Sequence, residues 1–126
     1  MDSADSSEQP QWWAVCLCAA WCGVCRDWLP LFRELSARHP HVRFAYVDVE
    51  DEDETMGDVD IETFPTVLIA RGSQVMYLAP VPPMAKPFDR LLARLQAQPN
   101  PDPGIPADAD GLFLRLKGEV LPRSRV

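Results

Sequence analysis

A change of hydrophobic period near the N-terminal end most narrows what this chain can become. "WWAVCLC", residues 12–18, is a continuous apolar run rich in β-type residues, and such a run suits a strand buried on both faces. From about Gly23 to Ala37 the pattern turns helical, with Val24, Trp28, Leu31 and Leu35 on one side and Pro30 inside, where it should kink the helix. "VRFAYVDV", residues 42–49, is a second apolar strand. Strand, helix and strand at this spacing form a βαβ unit, so the two strands should be parallel with a right-handed crossover.

The rest of the chain extends this α/β pattern. An acidic segment, 51–60, reads as a short helix or helix-like loop. "TVLIA", 66–70, and "QVMYLA", 74–79, flank "RGS", a short Gly-containing connection that signals a hairpin. "KPFDRLLARLQAQ", 86–98, places Phe88, Leu91, Leu92 and Leu95 at helical spacing, with Pro87 in the first turn. The domain organisation expected is therefore a flexible arm at 1–11, one folded domain at 12–98, and a Pro- and Asp-rich linker and tail at 99–126. The tail is either disordered beyond Pro99 or carries a strand at 112–117 that pairs with an exposed sheet edge. A length of 126 residues, 47% of them hydrophobic, is enough for one core.

The net charge of −7 argues against nucleic acid and anionic membrane as partners, because both need a basic footprint. The acidic run from Asp48 to Glu62 reads as a solvated face. The polar start, "MDSADSSEQPQ", lacks the basic and apolar regions of a secretory signal, so the expected location is cytoplasmic; separately, the expected state is a monomer.

All four cysteines, Cys16, Cys18, Cys22 and Cys25, fall in ten residues. In a reducing compartment such a set is more often catalytic or metal-binding than structural. Cys22-Gly23-Val24-Cys25 lies where the buried strand turns into the helix. A helix N-terminus offers free N–H groups and a partial positive charge, which stabilise a thiolate at Cys22. Cys25, one turn on, lies on the same side and within reach, so one sulfur can attack and the other resolve. Cys16 and Cys18 alternate on the strand and share a face; they read as small buried hydrophobes, with modulation of the neighbouring thiols as the other reading. Two rivals stand beside this one. Four thiolates could hold zinc or an iron–sulfur cluster, although no outlying Cys or His pair completes a metal-site spacing, and His39 and His41 are expected to face solvent. Alternatively the domain is a binding adaptor without redox chemistry.

At these residues the chain resembles the thioredoxin family. "WCGVC", 21–25, is similar to that family's WCGPC; Pro30 matches the proline of its active-site helix; and "TFPT", 63–66, resembles the segment that holds its cis-proline, here Pro65. The resemblance covers roughly residues 12–97. It implies a central mixed sheet of about four strands flanked by helices, with the leading strand–helix unit reduced or absent. It implies a thiol–disulfide oxidoreductase with Cys22 and Cys25 as the catalytic, redox-active disulfide pair, and no bound cofactor or metal. Trp21, Gly23, Val24, Phe64 and Pro65 would meet disulfide-containing protein substrates, and thioredoxin reductase or glutathione would supply electrons. Cys16 stands where the family has a buried Asp, and Tyr46 where it has a partner Lys. Cys16, Cys18 and Tyr46 are therefore possible modulators, and proton transfer at Cys25 should be slower than in a typical member.

Overall fold

The computed structural model describes residues 11–126. Four strands form one mixed sheet: β1 (Trp12–Cys18), β2 (Val42–Asp48), β3 (Thr66–Arg71) and β4 (Gln74–Pro80). Their spatial order is β2-β1-β3-β4. β1 runs parallel to β2 and antiparallel to β3, and β3 and β4 form an antiparallel hairpin. Gly72 makes the hairpin turn with φ of 64°, a left-handed conformation that costs glycine little. The helices are α1 (Gly23–Arg38), a single turn α2 (Asp53–Met56), α3 (Ala85–Ala97) and α4 (Ala109–Glu119), followed by a short 3-10 turn, Leu121–Arg123.

β1 is the centre of the molecule because both of its faces are covered. Ala14, Cys16 and Cys18 point into one core layer with Trp28, Phe32 and Leu35 of α1 and Phe88, Leu92 and Leu95 of α3. Trp13, Val15 and Leu17 point into the other, with Met56 of α2 and Leu112, Phe113 and Leu116 of α4. The two-residue alternation of a strand produces this division, and burial on both faces explains the unbroken apolar run. Within α1 the buried residues are Cys25, Trp28, Phe32 and Leu35. The apolar side differs here from the expected one. Val24 is 46% exposed and Leu31 only partly buried, since the stripe is displaced by one position toward Cys25.

The C-terminal segment corrects the sequence expectation. Residues 112–117 are neither strand nor disordered; they lie in helix α4. Ala109, Leu112, Phe113, Leu116 and Val120 are all buried, at offsets of three, four and seven or more that place them on one helical face. The window "LFLRLK" is too short to display that period, and Ala109 sits inside the Pro- and Asp-rich stretch. The Phe113 ring packs edge-on to Trp13 at 6.4 Å. Polar contacts fix the helix: Val75 N–H donates to the Asp110 carboxylate at 2.8 Å, and Arg115 donates to the Thr55 carbonyl at 2.8 Å. A two-pronged Arg123–Glu52 pair, 2.9 and 3.0 Å, holds the last turn.

Beyond it the chain does reach the sheet, but at 124–126. Tyr46 N–H donates to the Ser124 carbonyl at 3.0 Å and Val126 N–H to the Phe44 carbonyl at 3.2 Å, with one antiparallel bridge between Ala45 and Arg125. This short contact caps the β2 edge, which otherwise leaves unpaired backbone groups. The expected arm at 1–11, and the expectation of a reduced leading strand–helix unit, fall on residues outside those described except for Gln11, whose carbonyl accepts from Gly72 N–H at 2.7 Å.

This packing makes the tail part of the domain. Phe113→Ala should lower the free energy of unfolding by about 3–5 kcal/mol. Leu114→Ala, at a position 56% exposed, should change it by less than about 0.5 kcal/mol. Urea unfolding of both variants checks this, and equal small effects would return the tail to a passive role.

Candidate active site

The site forms where β1 ends and α1 begins. Cys22 is the N-cap of α1, with φ −85° and ψ 117°, the extended conformation usual for a residue entering a helix. Its N–H donates to the Ala19 carbonyl at 3.0 Å and its carbonyl accepts from Arg26 N–H at 3.2 Å. Its thiol is free and partly exposed. The approach loop is pinned from two sides at one residue. Ala20 N–H donates to the Asp48 carboxylate at 2.9 Å, and Arg26 donates to the Ala20 carbonyl at 2.9 Å. Asp48 also accepts from the N–H groups of Glu50 and Asp51, which fastens the end of β2 to the same loop.

Trp21 projects outward, 61% exposed, and its ring meets Phe64 edge-on at 5.6 Å. Gly23 and Val24 are exposed on the first turn of α1. Pro65 follows Phe64 through a cis peptide bond and is buried, and its carbonyl accepts from Val81 N–H at 3.1 Å. The structure therefore brings Trp21 and Phe64 together at the surface, with Pro65 behind Phe64.

The sulfur pairing differs from the expected one. Cys25 is disulfide-bonded to Cys18, not to Cys22, with Cα atoms 5.9 Å apart. The reason is helical phase. Cys25 stands on the buried stripe of α1 and faces β1, where the alternation of the strand turns Cys18 toward it. Cys18 is thus not a passive hydrophobe. Cys16 is closer to that reading, being fully buried with a free thiol, but its sulfur lies 3.3 Å from that of Cys18. A disulfide sulfur carries no hydrogen, so Cys16 S–H is the donor in this contact.

Burial pushes the Cys16 thiol from 9.0 up to about 12, against a smaller opposing effect of the Trp28 side chain. That opposing contact is weak, because the buried Trp28 Nε1–H has no partner of normal hydrogen-bond geometry. Tyr46 pairs with Cys16 across the parallel strands. Its hydroxyl is raised from 10.0 to about 12 by burial first, then by the negative charge that Cys16, Asp48 and Cys22 can carry, with Arg26 pulling the other way.

Among the described residues no three His, Cys, Asp or Glu side chains are grouped to hold a metal. His41 is exposed, whereas His39 is half-buried, contrary to expectation, and its Nε2 lies 2.7 Å from the Asp89 carboxylate. A separate cleft of about 320 Å³, lined by Trp13, Arg43, Lys117, Leu121, Pro122 and Arg125, shares no residue with the site. Sequence reasoning missed Arg26 and Asp48, which position the loop. The available signal for Asp48 was its place at the end of the strand paired with the cysteine strand.

Residues 6–82, more than half of the chain, match the family model described as Thioredoxin. Mouse thioredoxin domain-containing protein 2 is 47% identical over 53 residues, which is 42% of this chain and 10% of that protein. Rice thioredoxin H5 is 36% identical over 56 residues, 44% of this chain and 42% of that protein. The match thus spans less than half the length of either relative. Among solved structures, Fasciola hepatica thioredoxin superposes with a TM-score of 0.62 at 22% identity, covering 74% of this chain and 88% of that one. A poplar thioredoxin h superposes with a TM-score of 0.62 at 22% identity, covering 75% and 83%. At that identity the likeness to these structures is one of fold.

The Cys16 shift has a readable sign. Its folded pKa is the higher, so its contribution to stability is full below about pH 9 and is lost as pH rises toward about 12. The loss approaches about 1.4 kcal/mol per pH unit. Urea unfolding of oxidised protein, with Cys22 blocked beforehand, should show a shallower decline between roughly pH 9.5 and 10.5 in Cys16→Ala than in the parent. Parallel pH curves would contradict the burial argument.

Proposed function

The chain belongs to the thioredoxin family, and on that premise we propose that it is a thiol–disulfide oxidoreductase whose attacking sulfur is Cys22. The observation that carries this reading is the arrangement of thiols by depth. Cys22 is free and partly exposed at the start of a 16-residue helix, while Cys16, Cys18 and Cys25 are fully buried. An external disulfide can meet only the first of them.

In the proposed reaction the Cys22 sulfur attacks one sulfur of a substrate disulfide. The substrate S–S bond breaks, a mixed disulfide forms on Cys22, and the other substrate sulfur leaves as a thiol. Cys25 then attacks the Cys22 sulfur, releasing the second substrate thiol and leaving Cys22–Cys25 oxidised. The pair has lost two electrons and the substrate has gained them. Exposed Trp21, with Phe64 beside it, offers an apolar surface for a polypeptide around the target bond; Gly23 and Val24 leave the approach to Cys22 open. Because the Pro65 carbonyl already accepts from Val81 N–H and the Thr63 carbonyl from the Thr66 hydroxyl, an extended substrate would pair with the backbone of Phe64. Thioredoxin reductase or glutathione is the proposed source of electrons, and no resident cofactor takes part in the exchange.

Insulin reduction is the direct assay. Cys22→Ser should fall to the rate of dithiothreitol alone. Incubated with insulin in the absence of dithiothreitol, Cys25→Ser should accumulate a dithiothreitol-sensitive insulin-chain adduct on Cys22, because the resolving sulfur is gone. An adaptor would instead bind its partners equally well with Cys22→Ser and form no adduct with Cys25→Ser.

A further inference from the structure

Resting on the exchange reaction above, we propose that Cys18 is a third catalytic sulfur, which takes Cys25 from Cys22 and stores the disulfide inside the domain. Cys18 touches the reacting atoms directly, since it is bonded to Cys25 in the structure. The same bond leaves Cys22 free and partly exposed, so the oxidised domain still presents a thiol at its surface.

The step balances without any outside reagent. Once Cys22–Cys25 has formed, the Cys18 sulfur attacks the Cys25 sulfur. The Cys18–Cys25 bond forms, the Cys22–Cys25 bond breaks, and Cys22 leaves with the electron pair. The proton lost by Cys18 is matched by the one Cys22 takes up, and no electrons enter or leave the protein. Cys16 is placed to assist: its S–H donates to the Cys18 sulfur at 3.3 Å, and a donor to sulfur favours the form that carries negative charge. Burial keeps Cys16 itself protonated, which suits a hydrogen-bond donor and not a fourth exchanging thiol.

Two consequences distinguish this device from a simple two-cysteine centre. First, Cys18 and Cys25 are both fully buried, so an external thiol cannot attack the stored disulfide. Reduction must run backwards through Cys22, which re-forms Cys22–Cys25 before a reductant can act. Re-reduction should therefore become independent of reductant concentration once that internal exchange limits the rate. Second, the oxidised protein can form a mixed disulfide with a small thiol or a protein at Cys22 while the internal disulfide stays intact. The two states of one domain then differ in stored oxidising equivalents without a difference in surface thiol.

The test is three-label alkylation of fully oxidised protein. Accessible thiols are labelled natively, buried ones after unfolding at low pH, and disulfide sulfurs after reduction, each step with a reagent of different mass. Tandem mass spectrometry then locates each label. The expected pattern is native label on Cys22, unfolding-dependent label on Cys16, and post-reduction label on Cys18 and Cys25. In Cys18→Ala the disulfide should move to Cys22–Cys25 and the native thiol count fall from one to zero; Cys18→Ser serves if circular dichroism shows that Cys18→Ala is unfolded. Wild-type protein with post-reduction label on Cys22 and Cys25 and no native thiol would overturn the proposal. That result leaves the insulin adduct of Cys25→Ser intact, whereas loss of the adduct sinks the exchange reaction itself.

Discussion

The site depends on which face of α1 lies against β1. The buried stripe Cys25, Trp28, Phe32 and Leu35 is packed with Phe44 of β2 and Phe88 of α3; ring centroids in this cluster lie 4.9 to 5.9 Å apart. Burial of apolar surface on this scale fixes the helix in rotation, because turning it by one residue would expose a tryptophan or a phenylalanine. With the rotation fixed, Cys25 must face inward and Val24 outward, and Cys22 is left at the rim. The chemical difference between the two cysteines of the motif is therefore a packing result before it is an electrostatic one.

The opposite face of the sheet depends on the end of the chain. Helix α4 and the turn after it cover Trp13, Val15 and Leu17, and residues 124–126 cap the β2 edge. Without that layer the inner face of β1, β2 and β3 would be open to water, and the platform under the site would lose half of its support. Arg115 and Arg123 reach back to Thr55 and Glu52, tying the tail to the acidic stretch that leads to the cis Phe64–Pro65 bond. The acidic run is thus partly structural: Glu52 is an ion-pair partner, although others such as Asp51 and Glu54 are exposed.

The parts legible in the sequence were those with a strong local period or a short motif. The unbroken run at β1, the Gly turn of the hairpin, and the leucine spacing in α3 each determine their element from within. So does the strand-to-helix switch that places Cys22 at a helix start. What the sequence left ambiguous was decided by contacts distant along the chain. The six-residue window at 112–117 fits strand or helix equally, and only the apolar face of β1 selects the helix. The stripe of α1 could be drawn through Val24 or through Cys25, and the aromatic cluster decides. Cys18 looked like filler because alternation shows which face a strand residue takes, but not what it meets there. Arg26 and Asp48 were missed for the same reason: their common partner, Ala20, is bound through its backbone, which leaves no mark in composition.

The central claim is that packing sets one reactive sulfur in front of three protected ones. Residue-resolved alkylation kinetics of the fully reduced, folded protein test it most directly. Cys22 should be completely modified by iodoacetamide at neutral pH before Cys16, Cys18 or Cys25 carries measurable label. Modification of Cys18 or Cys25 at the same rate as Cys22, in protein that remains folded, would contradict the account.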